Sequence, residues 1–163
     1  MSHEQLVNYC YTNYNRPDDG CNHCQNAPCL GGSELCLDHI HRVGTHDRTY
    51  NCANIVNYYT CKYIYRYLTE IEILLNKYTS VFRNIRNLRL WSIGCGPCTE
   101  LFGLYRFKNN NNLNFTIQYK GFELNELWTP IHNSIRQMNC FETEFYIQDV
   151  FDYIGSNDEH PDI

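Results

Sequence analysis

The sequence predicts an α/β fold in which a parallel sheet is connected by helices. Two observations lead to it. Short apolar runs alternate with helix-forming segments from Leu88 onwards, and the asparagine-rich loop 108–112 and a glycine turn separate them. Such alternation is typical of parallel strands joined by helical crossovers. The predicted order is strand Leu88–Ile93, helix Thr99–Phe107, strand Phe115–Phe122, helix Glu126–Met138 and strand Glu144–Ile147.

A long amphipathic helix is predicted before the sheet, from Ala53 to about Asn84. Apolar and aromatic residues recur there at three- and four-residue intervals without glycine or proline, which is the helical period. The stripe consists of Val56, Tyr59, Tyr63, Tyr67, Ile71, Leu74 and Tyr78. We expect it to pack against the neighbouring domain, with a stacking surface for bases as the alternative.

Composition indicates a globular protein of one domain plus a small appendage. The chain has 163 residues, of which 43% are hydrophobic and 15% aromatic, enough to fill a core. A net charge of -5 argues against a broadly basic nucleic-acid-binding surface; we expect the local group Arg83, Arg86 and Arg89 to cap a solvated helix end. No long apolar run or signal-peptide pattern is present, so we expect a soluble cytoplasmic protein that does not bind membranes.

Ten cysteines in such a protein point to metal binding or catalysis, because reducing compartments disfavour disulfides. The early cluster comprises Cys21, Cys24, Cys29, Cys36, His39 and His41. The spacings Cys21-x2-Cys24 and Cys36-x2-His39 suit tetrahedral zinc. Cys29 and His39 compete for the fourth position, so the predicted structural site has either four cysteines or three cysteines and a histidine.

Other interpretations of the cluster stay open. An iron–sulfur cluster has the same thiolate requirement, and the nearby histidines favour zinc over it. Ordinary buried thiols are disfavoured because the segment 17–29 is polar and rich in turn-forming residues. Cys52 lies near His41 and His46 and offers a weaker second site. We expect Cys61 to be packed in the long helix.

The first predicted strand ends in a glycine turn that leads into a helix. Gly94 and Gly96 form this turn, where the absence of Cβ atoms allows unusual dihedrals and close approach of a ligand. The helix that follows offers unpaired N–H groups at its N-terminus. The segment therefore predicts a strand–loop–helix that binds a cofactor.

Three segments at successive strand ends carry a resemblance to a known family: Trp91–Cys98, Gly121–Asn125 and Gln148–Phe151. In this order they resemble the opening half of a class I S-adenosylmethionine-dependent methyltransferase, which implies a partial Rossmann-like sheet. The resemblance implies that the first loop holds the methionine part of the cofactor and that Glu123 binds both ribose hydroxyls. It further implies that Asp149 receives the adenine amino group while Val150 packs on the ring. The implied cofactor-binding residues are Ser92, Gly94, Gly96, Cys98, Glu123, Asp149 and Val150.

The sequence departs from the family pattern at two positions of the first loop. Ser92 stands where an acidic residue is usual, and Cys98 replaces the third glycine. Serine still offers a hydrogen bond to the cofactor's amino group, whereas cysteine crowds the turn if a positive φ is needed. Cys95 and Cys98 also form a Cys-x2-Cys arrangement at a helix start, so a redox role is a further alternative.

The resemblance covers only part of such a domain, which has seven strands. The segment expected to start the fourth strand is 160–163, beside the first strand. We therefore expect a fragment, or a protein whose sheet a partner chain completes, and an unpaired apolar edge on Leu88–Ile93. The catalytic residues and the methyl acceptor stay unknown.

Three functional hypotheses follow. The first is a methyltransferase-like protein that binds S-adenosylmethionine and zinc, with RNA, DNA or protein favoured as substrate over a small metabolite. The second is a non-catalytic zinc-containing interaction protein that keeps a vestigial cofactor fold. The third is a zinc-dependent nucleic-acid-binding protein.

Overall fold

A computed structural model describes residues 3–14, 32–41, 50–138 and 141–163. The described helices are α1 (His3–Asn13), α2 (Ser33–His41), α3 (Ala53–Asn76), α4 (Thr79–Phe82), α5 (Thr99–Asn110), α6 (Thr129–Gln137) and α7 (Val150–Ser156). The strands are β1 (Asn87–Ile93), β2 (Thr116–Glu123) and β3 (Glu142–Ile147). A 3₁₀ turn, Glu126–Trp128, precedes α6. In the described part of the chain, no helix is long and apolar enough to span a bilayer.

The three strands form one parallel sheet in the order β1-β2-β3. Leu90 pairs with Tyr119 across β1 and β2, and Gly121 pairs with Phe145 across β2 and β3. Helices cross between successive strands, as parallel pairing requires. The predicted α/β fold with a three-stranded parallel sheet is confirmed, and its strand order is compatible with a partial Rossmann-like fold.

One face of the sheet is covered by helices, and the other is covered mainly near the carboxyl end of β2. Apolar side chains on one face, among them Leu88, Leu90 and Ile117, join a core that α1, α3, α5 and α6 complete. On the other face Phe122 packs with Val150 and Tyr153 from α7. The alternation of residues along β2 between these two clusters follows the two-residue period of a strand.

Helix α3 buries a different stripe from the one predicted. Val56, Thr60, Ile64 and Leu68 face the core at four-residue spacing, whereas Leu74 is 53% exposed and Tyr78 54% exposed. Tyr59, Tyr63 and Tyr67 lie along the edge of this buried stripe, half-buried and in ring contact with one another. Tyrosine hydroxyls favour a partly wet position, so the smaller side chains take the core.

The predicted long helix is also shorter than expected. It ends at Asn76, and the short helix α4 follows after a turn. Phe82 at the end of α4 is buried and packs edge-on against Phe107, with ring centroids 5.1 Å apart, and beside Phe115. Burial of this aromatic ring against α5 and the start of β2 accounts for the change of direction after Asn76.

The outer edge of β1 is partly paired, in contrast to the unpaired edge that was expected. The Trp91 amide donates to the Ile163 carbonyl at 3.0 Å, and the Ile163 amide donates to the Arg89 carbonyl at 3.3 Å. This is the bonding pattern of a parallel pair. Arg89 also forms an ion pair with Asp162 at 3.1 Å, so the segment expected to begin the fourth strand lies beside β1.

Candidate functional site

The loop between β1 and α5 has an unusual backbone. Gly94, Gly96 and the non-glycine residue Cys98 adopt φ values of 64°, 44° and 57°, all in the left-handed region that L-residues disfavour. The amides of Gly94 and Cys95 both donate to the Phe122 carbonyl, at 2.8 and 3.1 Å. These two bonds fix the loop against the end of β2.

Glu123 joins the loop to β2 through its side chain. Its Oε2 accepts a hydrogen bond from the Gly96 amide at 3.1 Å, and its Oε1 accepts from the amides of Leu124 and Asn125 at 2.9 and 3.1 Å. Charge-assisted hydrogen bonds of this kind are stronger than neutral ones. The carboxylate at the end of β2 therefore faces the glycine loop.

A cavity of about 340 Å³ opens above this loop at the carboxyl end of the sheet. Its lining residues are Tyr50, Tyr59, Gly94, Cys95, Gly96, Pro97, Thr99, Glu100, Glu123, Asn125 and Trp128. The volume falls in the range of small-molecule sites, about 300–1,000 Å³. A wider depression of about 580 Å³ lies by α6 and includes Tyr9 and Glu126; its lining does not include the glycine loop.

Aromatic rings form one wall of the cavity. Trp128 lies 6.0 Å from Tyr50 and 5.8 Å from Tyr59, measured between ring centroids. The Asn125 side chain donates to the Tyr50 carbonyl at 2.7 Å, which ties this wall to the end of β2. Burial raises the pKa of Tyr50 to about 12, so its hydroxyl stays protonated at neutral pH. The wall therefore presents uncharged aromatic surface to the cavity.

The structure brings together some of the predicted cofactor residues. Gly94, Gly96 and Glu123 line the cavity, while Cys98 is fully buried behind the loop. Ser92 pairs with Gly121 within the sheet and does not line the cavity.

The two residues predicted to hold the adenine lie outside the cavity lining. The Asp149 carboxylate accepts from the Phe151 amide at 2.8 Å and caps α7, and Val150 is buried on Phe122 and Tyr153.

Comparisons with protein-family models, curated proteins and solved structures find no match for this chain.

A second group of functional side chains lies behind the loop. The ligand atoms of Cys95, Cys98 and His132 all lie within 4.8 Å of one another, and all three residues are buried. The Cys95 Sγ is 3.6 Å from the His132 Nε2, and the same nitrogen is 2.8 Å from the Gly96 carbonyl oxygen. The described residues thus contain a thiol–thiol–imidazole group that can hold a metal ion.

The surroundings shift the pKa values of the two thiols in opposite directions. A hydrogen bond from Cys98 lowers the pKa of Cys95, and His132 adds to the effect. Burial raises the pKa of Cys98, which is completely enclosed. Cys95 is therefore the thiol that ionises first. Cys98 is fully enclosed and Cys95 is only 4% exposed, which leaves little access for a disulfide substrate.

The absence of a side chain at Gly121 leaves space for the Cys95 sulfur. An ideal Cβ at position 121 would lie 2.8 Å from the Cys95 Sγ and 2.9 Å from the Phe145 ring, closer than side chains tolerate. Sequence reasoning identified Cys95 and Cys98 as a pair but missed His132. Little in the sequence indicated this role for His132, because a single histidine in a predicted helix does not reveal which loop it faces.

The predicted N-terminal zinc site lies largely outside the described residues. Cys21, Cys24 and Cys29 are not among the residues that the structure describes. Cys36 is buried in α2, where it packs with Leu37, Cys52 and Ile55, and His39 lies on the same helix, half-buried. The predicted zinc module stays a prediction.

Proposed function

We propose that the chain binds S-adenosylmethionine in the cavity at the carboxyl end of its sheet and is methyltransferase-like. One observation carries the proposal: Glu123 and Gly96 line the same cavity, with the carboxylate 3.1 Å from the Gly96 amide. In open α/β sheets, ligands bind outside the carboxyl ends of the strands. A carboxylate there can accept a hydrogen bond from a ribose hydroxyl.

The glycine loop supports the same ligand. Gly94 and Gly96 have positive φ values, so the loop turns sharply and leaves its main chain free of Cβ atoms on the cavity side. The N-terminus of α5 follows at Thr99, which lines the cavity. Unpaired N–H groups in the first turn of a helix suit a negatively charged group, such as the carboxylate of the methionine part.

Two features predict weak binding. Glu123 already accepts three backbone N–H groups, which leaves about one of its four lone-pair positions for a ribose hydroxyl. The adenine contacts that the resemblance implies need Asp149 and Val150. The Asp149 carboxylate instead caps α7, and the Val150 side chain packs with Phe122 and Tyr153. Binding therefore depends mainly on Glu123, the loop and the aromatic wall.

The substrate and second cofactor belong to the same proposal. RNA, DNA or protein is favoured over a small metabolite as methyl acceptor, by analogy with zinc modules fused to such domains. A partner chain that extends the sheet beyond β1 would supply the region where such domains orient the acceptor. Zinc is proposed for the N-terminal module, held by Cys21, Cys24, Cys36 and either Cys29 or His39.

Calorimetric titration of the purified chain with S-adenosylmethionine tests the proposal. We expect measurable binding, and we expect Glu123→Ala to weaken it by about tenfold or more, since a charged hydrogen bond contributes about 1.5–3 kcal/mol. Glu126→Ala is the matched control, because Glu126 is exposed and does not line the cavity. Titration with NAD⁺, which also carries ribose, distinguishes specific binding from general affinity for nucleosides.

Absence of binding to the wild-type chain would contradict cofactor use by this chain alone. That result would favour the second hypothesis, a non-catalytic interaction protein. The observation that favours this alternative is the engagement of the Glu123 carboxylate by three amides. Such a carboxylate stabilises the loop even without a ligand.

A further inference from the structure

We propose that Cys95, Cys98 and His132 form a zinc site behind the β1–α5 loop. The three ligand atoms lie within 4.8 Å of one another. These residues differ from those of the zinc site predicted at positions 21–39, and the proposal does not rest on cofactor binding in the neighbouring cavity.

The separation between the Cys95 and His132 ligand atoms fits tetrahedral zinc. Bonds of about 2.3 Å to sulfur and about 2.0–2.1 Å to nitrogen place the two ligand atoms about 3.5–3.6 Å apart at a tetrahedral angle. The Cys95 Sγ lies 3.6 Å from the His132 Nε2. Two thiolates and one imidazole are a ligand set that zinc accepts, and a water molecule from the cavity that Cys95 lines would complete the coordination.

The backbone at Cys98 points to a role for its side chain. Cys98 holds a φ of 57°, a conformation in which glycine would be free of strain and a side chain costs about 1 kcal/mol or more. Its side chain is fully buried next to Cys95 and His132. A thiol that ligates a metal explains why cysteine stands at a position that suits glycine.

His132 is held in place for such a contact. Its ring stacks on Phe145 with 4.3 Å between centroids and 5° between planes, so its orientation is fixed. Its Nε2 faces both Cys95 and the Gly96 carbonyl. Its Nδ1 is buried and has no hydrogen-bond partner in the described part of the chain, so it is free to take the proton when Nε2 binds the ion.

Metal binding would stiffen the loop. Zinc at this position would join the β1–α5 loop, the start of α5 and α6, in addition to their core packing and the hydrogen bond from His132 to Gly96. Each thiol loses its proton to solvent as its sulfur binds the ion. The loop that lines the cavity would then be fixed from behind by the metal.

Zinc content of the full chain, measured after purification and after reconstitution with zinc under reducing conditions, tests the proposal. We expect Cys98→Gly to hold about one ion per chain fewer than wild type. Glycine suits the backbone at this position, so this variant is expected to fold. Cys61→Ala is the matched control, because Cys61 is half-buried in α3 and its thiol contacts the Val7 carbonyl at 3.7 Å; its zinc content should equal that of wild type.

Two variants of His132 separate a ligand from a structural residue. His132→Gln keeps a donor for the Gly96 carbonyl but removes the imidazole ligand, so it should lose the ion. His132→Cys keeps a metal ligand, so it should retain the ion and, after substitution with Co²⁺, show stronger thiolate-to-cobalt absorption than wild type. Wild-type zinc content in both Cys98→Gly and His132→Gln would overturn the proposal, as would ion loss in His132→Cys with retention in His132→Gln.

Discussion

Glu123 and Gly96 connect two strand ends through one charged hydrogen bond, in which the Gly96 amide lies 3.1 Å from the carboxylate. Gly96 is held in a left-handed conformation with a φ of 44°. Hydrogen bonds from backbone amides to a carboxylate can hold a backbone in such a sparsely populated region. The side chain at the end of β2 thus sets the shape of the loop after β1.

Glu123→Gln should lower the free energy of unfolding by about 1–2 kcal/mol even without any ligand. The three N–H groups are accepted by two carboxylate oxygens, whereas Gln has one acceptor oxygen, so its NH2 group would face at least one of these donors. Urea unfolding followed by tryptophan fluorescence measures the change. Glu126→Gln, at an exposed position, should change it by less than about 0.5 kcal/mol. Equal stability of the two variants would show that Glu123 does not hold the loop.

The approach of α5 to α3 depends on Gly103. A Cβ at this position would lie 2.9 Å from the Ile71 Cγ2 and 3.0 Å from the Leu68 carbonyl oxygen. We expect Gly103→Ala to destabilise the chain by about 1–3 kcal/mol, as overpacking does. Thermal and urea unfolding measure it.

Gly155 in α7 provides the control, since a Cβ there meets nothing within 4 Å. Gly155→Ala should leave stability unchanged or raise it by up to about 1 kcal/mol through helix propensity. A destabilisation of similar size in both variants would contradict the packing argument at Gly103.

The strands of the sheet could be predicted from the sequence because the alternation of residues along a strand is a local pattern. The predicted strands differ from the observed ones by at most two residues at either end, and the turn at Gly94 and Gly96 was located correctly. Glu123 was placed at the end of its strand by the resemblance to the methyltransferase family, directly after the predicted strand Phe115–Phe122. Parallel strands bring their carboxyl ends to one edge, so a residue's position in a strand determines its side of the sheet.

Features that depend on long-range packing were not predictable in this way. The stripe of α3 that faces the core was misjudged, because tyrosines count as apolar in a periodic pattern although their hydroxyls favour the boundary. The approach of His132 to Cys95 joins residues from α6 and the β1–α5 loop. Asp149 was expected at the cofactor, but a carboxylate just before a helix has a competing local use as its N-cap.

Glu72 ties α3 to α5 from a buried position. Its carboxylate accepts from the Arg106 Nε at 2.6 Å and from the Asn110 side chain at 2.5 Å, and the residue is only 7% exposed. Glu72→Ala leaves these partly buried donors without their acceptor, so we expect a loss of about 1–3 kcal/mol. Denaturant unfolding gives the value.

A second ion pair on the same helix serves as control. Glu70 pairs with Arg66 at 2.8 Å with both side chains more than half exposed. Exposed pairs four residues apart contribute about 0.3–0.5 kcal/mol, so Glu70→Ala should have a small effect that added salt removes. A loss for Glu72→Ala no larger than this would mean that solvent compensates the missing carboxylate.

Asp162 makes the pairing beside β1 sensitive to pH. Hydrogen bonds from the Arg89 guanidinium and then from its backbone amide hold the pKa of Asp162 below its ordinary value. A depressed pKa means that the charged form stabilises the paired state above the unfolded pKa, about 3.9, and that this stabilisation disappears as pH falls through the folded pKa. The hydrogen bond from the Trp91 amide to Ile163, 3.0 Å long, should therefore open more often below about pH 4.

Amide hydrogen exchange, corrected for the intrinsic pH dependence of exchange, measures this opening at Trp91. The Thr116 amide, which donates to the Arg86 carbonyl at 2.9 Å on the other side of β1, should keep its protection over the same range. Asp162→Asn should give weak protection of Trp91 that no longer varies with pH. Constant protection of Trp91 in the wild-type chain down to about pH 3, well below the ordinary aspartate pKa, would show that Asp162 does not control the pairing.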